Sequence, residues 1–166
     1  MSPLYVILAL IVCERLAELA IAARNTKRLL AAGAVEHGRG HYPLFIALHA
    51  AWLGTILLAV APDQPVVWPL IWLYGLLILA RVWVMASLGR RWTTRIVILP
   101  GAPLVRHGPY RLLRHPNYAI VVAEIAVLPL AFGAWRTALV FSLLNLLLTS
   151  YRIHVEDAAL AEHTRS

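Results

Sequence analysis

Only one cysteine, Cys13, occurs in the chain, and it lies inside an apolar run, so neither a disulfide framework nor a cysteine-rich metal site is available. Charge is scarce as well. Asp, Glu, Lys and Arg together make up 14% of the residues, where a soluble domain carries about a quarter. The histidines His37, His41, His107 and His154 have no metal spacing such as HExxH, and no metal is expected. Internal repeats and low-complexity segments are missing, and so is the Gly-rich strand-to-helix turn with which soluble nucleotide-binding folds cradle a ligand. Any ligand site must then be built from helix ends and loops. The first apolar run starts at Leu4 with no basic n-region and no small-residue cleavage site, which predicts a retained span rather than a signal peptide.

Hydrophobic residues fill the space: they are 61% of the sequence, and the mean hydropathy is +0.73, far outside the soluble range. These values predict an all-α integral membrane protein. Five apolar segments can be measured against the roughly 20 residues a spanning helix needs. They are Leu4 to Ala23, Tyr42 to Ala61, Val66 to Leu88, Tyr118 to Phe132 and Trp135 to Ile153, the fourth being short. The expected fold has five transmembrane helices, a folded cytoplasmic loop between the third and fourth, and a short C-terminal cytoplasmic tail. It forms one membrane-embedded domain over residues 1–166, with the ligand-binding part in about residues 89–166.

The formal charge of +7 would suit nucleic acid if it lay on one face, but the arginines sit in short loops between apolar runs. No nucleic-acid partner is expected. The Arg24 to His41 loop holds Arg24, Lys27, Arg28 and Arg39, and the Gly89 to Asn117 loop holds Arg90, Arg91, Arg95, Arg106, Arg111 and Arg114. Pro62 to Pro65 has no cation. The positive-inside rule puts both long loops and the C-terminus in the cytoplasm and the N-terminus outside. In the second long loop, Ile96 to Leu99 is a β-prone run stopped by Pro100 and Gly101, which reads as a folded cap; the first, with Gly33, Gly38 and Gly40, reads as a candidate mobile loop.

The stretch His107 to Tyr118, HGPYRLLRHPNY, concentrates Arg, His, Pro and Gly just before the fourth run. Pro116 suits the first turn of a helix, where a missing N–H costs nothing. Arg114 and His115 then stand at the positive end of a helix dipole, an unfavourable place for cations unless an anion joins them. The turn at Gly133 and Ala134 predicts an antiparallel hairpin that returns the chain to the same level, where RIHVEDAAL, Arg152 to Leu160, places Glu156 and Asp157 at or just past a helix C-terminus. Anions there violate the dipole rule in the opposite sense. A cationic wall facing an anionic wall fits a zwitterion, and the competing expectation is a plain salt bridge between Arg114 or Arg152 and Glu156 or Asp157.

GPY followed by RHPNY and, further on, RIHVEDAAL resembles the isoprenylcysteine carboxyl methyltransferase family, mainly over Trp92 to Leu160. Phospholipid N-methyltransferases are similar, and membrane sterol reductases share something close to RHPxY. The compact chain and its TTRIVILPGAPLVRHGPYR stretch also resemble small bacterial enzymes that methylate alkylresorcinols or alkylpyrones. The resemblance implies an O-methyltransferase in the bacterial inner membrane. It would take S-adenosylmethionine from the cytoplasm and a lipophilic or prenylated acceptor laterally from the bilayer lipids, with no obligatory protein partner. It places Leu99, Pro100, Gly101, Tyr110, His115, Pro116, Asn117, Tyr118 and Glu156 at the cofactor. An acidic acceptor needs a positioned cation rather than a general base, and Arg152 and Arg114 are the candidate catalytic residues.

Among the remaining ionisable residues, Arg15 and Glu18 are three apart on one helix face and are expected to pair, with Arg81 as a further partner or a lining of the acceptor cavity. His49 is expected to be a hydrogen-bonded packing residue. Trp68, Trp72 and Trp135 fit an interfacial belt, and Trp83 and Trp92 flank the end of the third run.

Overall fold

The computed structural model describes residues 2–163 and is mostly helical. The helices are α1 (Pro3–Ala31), α2 (Tyr42–Ala59), α3 (Trp68–Leu88), α4 (Pro116–Ala131) and α5 (Trp135–His163). One antiparallel two-stranded sheet pairs β1 (Val35–His37) with β2 (Ile96–Ile98), so that Val35 faces Ile98 and His37 faces Ile96. The segments Arg39–Ala59, Trp68–Arg91 and Trp135–Glu162 are long and apolar enough to cross a bilayer. The helix α4 is apolar but shorter, about 24 Å at 1.5 Å per residue. The helix α1 is long, but Glu14, Arg15 and Glu18 interrupt its apolar character. The outward faces carry exposed Leu10, Leu58, Trp72, Leu79 and Leu147, an exterior suited to lipid rather than water. The protein is an integral membrane protein.

Three sequence expectations are corrected. The helix α1 continues to Ala31, so Arg24, Lys27 and Arg28 stand on its last turns rather than in a loop, and the connection after it contains β1. The helix α5 continues to His163, the last described residue, so the stretch after Ile153 expected as a tail is a continuation of the helix. In both places hydropathy falls while helix propensity does not: AARNTKRLLA and RIHVEDAALAEH contain no Gly or Pro. Glu156 and Asp157 therefore sit inside α5, and the dipole violation predicted for them does not exist.

Packing places α4 between α3 and α5, while α2 lies against α1 and α5. The hairpin turn at Gly133 and Ala134 forms as predicted, with Gly133 at φ +70°. Pro129 within α4 removes the N–H that would bond to the carbonyl of Ile125, and the indole Nε1 of Trp52 on α2 donates to that carbonyl instead, at 3.1 Å. Trp52 itself lies in a core with Leu8, Ile56, Ile125 and Leu128 at one end of the bundle. A second, smaller cluster of Ala22, Val84, Trp92 and Ile120 lies toward the loop end.

Between these two apolar layers runs an ionic one. Arg15 on α1 meets Glu14 at 2.9 Å, Glu18 at 2.8 Å and Glu124 of α4 at 3.0 Å. Arg81 on α3 meets Glu18 at 3.2 Å and forms a close pair with Glu124. The predicted Arg15–Glu18 pair thus gains Arg81 and Glu124. Glu124, which the sequence reading did not single out, bridges both guanidinium groups; its charge inside an apolar run is the same signal that marks Arg81. His49 is the packing residue expected, its Nδ1 2.8 Å from the carbonyl of Phe45. Glu124→Ala should cost about 3 kcal/mol because it leaves buried guanidiniums undercompensated. Thermal unfolding in detergent should show a much larger loss than for the more exposed Glu14→Ala, and equal losses would refute the bridging role.

Candidate active site

The 3₁₀ turn Gly108–Arg111 closes the loop before α4, and its entry needs glycine. Gly108 has φ +59°, and a Cβ there would crowd the side chains of Ser87 and Trp83 on α3. After that turn the chain reaches His115, the N-cap of α4, and Pro116 takes the first helical position as predicted.

A cavity of about 930 Å³ lies between this helix start, β2, the α3–α4 loop and the last turns of α5. Its volume is at the upper end of the range of about 300–1,000 Å³ usual for ligand pockets. Of the residues singled out in the sequence, Leu99, Tyr110, Arg114, His115, Pro116, Asn117, Tyr118, Arg152 and Glu156 line it. Pro100 and Gly101 do not. They form the exposed turn beside Leu99, with Gly101 at φ +75°. Trp92 also lines the cavity although almost wholly buried, and its carbonyl accepts from Nδ2 of Asn25 at 2.9 Å, while Trp83 is half exposed.

One hydrogen-bonded chain crosses the site. Arg152 donates through Nε to the Tyr118 hydroxyl at 2.8 Å, and that hydroxyl donates to Glu156 in a close contact. Arg152 also donates through Nη2 to the carbonyl of Thr94 at 2.7 Å, with its guanidinium over the ring of Phe45 at 5.2 Å. A guanidinium carries five N–H groups, so this leaves donors on Nη1 and Nη2 for a guest. The Tyr42 hydroxyl and the Thr94 hydroxyl are 3.0 Å apart, and Arg95 pairs with Glu36 of β1 at 2.9 Å. These contacts fasten the folded cap to α2 and to the α1–α2 connection. Tyr42, Phe45, Thr94 and Glu36 were not legible as site residues, because only tertiary packing brings Phe45 and Thr94 to Arg152, Tyr42 to Thr94 and Glu36 to Arg95.

On the other wall, His115 stacks on Tyr118 with ring centroids 5.4 Å apart. Its Nε2 lies 3.1 Å from Asp157, and its Nδ1 lies 3.7 Å from Glu156. Arg114 is two-thirds exposed and pairs with Asp157 at 2.9 Å. The plain salt bridge considered from sequence therefore forms between Arg114 and Asp157, whereas Arg152 reaches Glu156 only through Tyr118. Burial, reinforced by the charge of Glu156, pushes the Tyr110 phenol up to about 12, so it remains a neutral hydrogen-bond donor at physiological pH.

The meeting of cationic and anionic groups at the cavity survives the correction to α5, since Glu156 reaches His115 at the start of α4 from within the helix rather than from its end. A membrane-embedded helical fold whose polar cavity is built from a helix start, a loop and the end of a neighbouring helix is the class defined by these features. The sequence matches the isoprenylcysteine carboxyl methyltransferase (ICMT) family over residues 70–162, which includes every cavity residue named above. It is 38% identical to the uncharacterized protein YpbQ of Bacillus subtilis, over 96% of this chain and 98% of that protein. It is 31% identical to an uncharacterized protein of Haemophilus influenzae, over 92% of each chain. No solved structure gives a significant match. The chain belongs to the ICMT family, a family of membrane methyltransferases that generally use S-adenosylmethionine.

Proposed function

We propose that the protein is an S-adenosylmethionine-dependent O-methyltransferase that methylates an acidic oxygen of a lipophilic acceptor. In this reading it has five spans in a bacterial inner membrane, with the cavity on the cytoplasmic side and the N-terminus outside. The observation that carries it is the Arg152–Tyr118–Glu156 chain, which sets a guanidinium with spare donors and a carboxylate on one cavity wall.

The residues fit such a cofactor by charge. Glu156 suits the cofactor's ammonium group, and the start of α4 with His115 suits its carboxylate. Neutral Tyr110 offers a hydroxyl donor, and Leu99 an apolar wall. When bound, S-adenosylmethionine supplies a methyl group on a positively charged sulfur. The residues of this chain then have to exclude water and aim the acceptor oxygen. Arg152 can hold an anionic oxygen with its remaining N–H groups, and Thr94 and Tyr118 keep it from turning away. A carboxylate or an ionised phenol or pyrone hydroxyl needs no general base. The acceptor candidates are accordingly the carboxylate of a prenylated cysteine and the hydroxyl of an alkylresorcinol or alkylpyrone. Arg114, being exposed and paired with Asp157, is better suited to the cofactor's carboxylate at the rim than to the acceptor.

Titration of the detergent-purified protein with S-adenosylmethionine, S-adenosylhomocysteine and NADPH tests the reading. The first two should bind. Binding of NADPH alone would establish a reductase in its place, and binding of none would favour a scaffold. Labelled methyl donor incubated with a lipid extract then reports the acceptor; label on a phospholipid amine would make the protein an N-methyltransferase.

A further inference from the structure

The ionic layer within the membrane touches the cavity at one point. Arg81 is buried, and its Nε and Nη2 both face the carboxylate of Glu124, with Nε also 3.2 Å from Glu18. A guanidinium held in this way along one edge has its remaining nitrogen fixed in direction. That nitrogen, Nη1, lies 3.5 Å from Oδ1 of Asn117, which lines the cavity in the first turn of α4. Arginine has no acceptor atom, so the asparagine atom turned toward it must be the oxygen. The amide nitrogen is then directed away from Arg81.

We propose that the ionic layer is a positioning device for the cavity: Arg81, locked by Glu124 and Glu18, holds the Asn117 amide so that it presents N–H donors to the ligand. Asn117 accordingly recognises a hydrogen-bond acceptor, such as a carboxylate oxygen or a ring nitrogen of the cofactor. Without Arg81 the two ends of the amide are nearly isosteric and exchange freely, so the donor would be on offer only part of the time. A layer of buried charge is costly if it serves packing alone, since apolar residues of similar volume would do as well. Its contact with the cavity gives it a use. Arg15 and Glu14 complete the layer on the α1 side and do not reach Asn117.

The inference rests on the cofactor reading above, and a double-mutant cycle separates the two. Binding of S-adenosylhomocysteine and steady-state turnover are measured for the full-length protein in detergent and for Arg81→Lys, Asn117→Ala and the double variant. Arg81→Lys keeps a cation beside Glu124 but is a point charge without the fork. It should weaken binding about fivefold and raise KM for the methyl donor with kcat within about twofold, since one hydrogen bond of ordinary strength is at stake. In the Asn117→Ala background the same substitution should change nothing. Asn117→Asp, whose carboxylate would pair with Arg81 and offer no N–H, should weaken binding about tenfold or more. An equal effect of Arg81→Lys in both backgrounds, or full affinity in Asn117→Asp, overturns the proposal. So does a lowered unfolding temperature with unchanged binding, which would assign Arg81 to structure alone. If the unaltered protein binds neither S-adenosylmethionine nor S-adenosylhomocysteine, it is the cofactor reading that fails.

Discussion

Glu156→Ala is expected to weaken S-adenosylmethionine binding by at least about 100-fold, close to loss of binding in a titration, which corresponds to about 2.7 kcal/mol. Two groups converge on this carboxylate, which itself borders the cavity. The Tyr118 hydroxyl donates to it, and His115 Nδ1 lies 3.7 Å away. Charge-assisted hydrogen bonds contribute about 1.5–3 kcal/mol each, and removal of this acceptor both deprives the cofactor's ammonium of its partner and leaves Tyr118 free to turn. The side chain is about one-quarter exposed, so water offsets part of the loss and the fold should persist. Glu156→Gln keeps the shape and one acceptor oxygen without the charge, and a loss of only about tenfold is expected there. Calorimetric titration in detergent, with the unfolding temperature as a control for folding, decides the matter. Affinity for Glu156→Ala within threefold of the unaltered protein would remove Glu156 from the cofactor.

For Arg152→Ala the expected pattern is the opposite. Cofactor affinity should stay within about threefold, while kcat falls by about 10²–10³, the range seen when a preorganised donor to a reacting oxygen is deleted. Arg152 is buried, and its loss also frees the Thr94 carbonyl and uncovers Phe45, so some destabilisation will accompany the change. Arg152→Lys guards against misreading that effect. It preserves the charge but loses the planar fork that reaches Tyr118, Thr94 and an acceptor at once, and it should therefore fold well and remain slow. Single-turnover measurements on the preloaded protein separate binding from transfer. If Arg152→Ala weakens the cofactor and leaves transfer from bound cofactor intact, the roles of Arg152 and Glu156 are exchanged.

The sequence carried much of the local structure because its signals are local. Pro116 marked the start of α4, since proline suits a first helical turn. The Gly133–Ala134 turn defined the α4–α5 hairpin, and the β-prone Ile96 to Leu99 run became β2. Two errors share one cause. The ends of α1 and α5 were read from the fall in hydropathy after Ala23 and Ile153, yet a helix leaving a membrane does not stop for that reason; it stops where its backbone finds a breaker or a cap. Glu156 was consequently found for a mistaken reason, as an anion at a helix C-terminus, when it lies in the body of α5.

By itself the sequence determined that the chain belongs in a membrane, where α4 begins, and that His115 comes level with Arg152 and Glu156, because hydropathy, proline and a tight hairpin turn act over a few residues. Tertiary structure alone decided that Tyr118 stands between Arg152 and Glu156, that Thr94 and Phe45 hold Arg152 from two other elements, and that Glu124 joins Arg15 to Arg81 behind Asn117. Those contacts link residues far apart in the chain. They depend on how helices rotate and pack against one another, a choice made by burying charge beside its partner and apolar surface toward lipid.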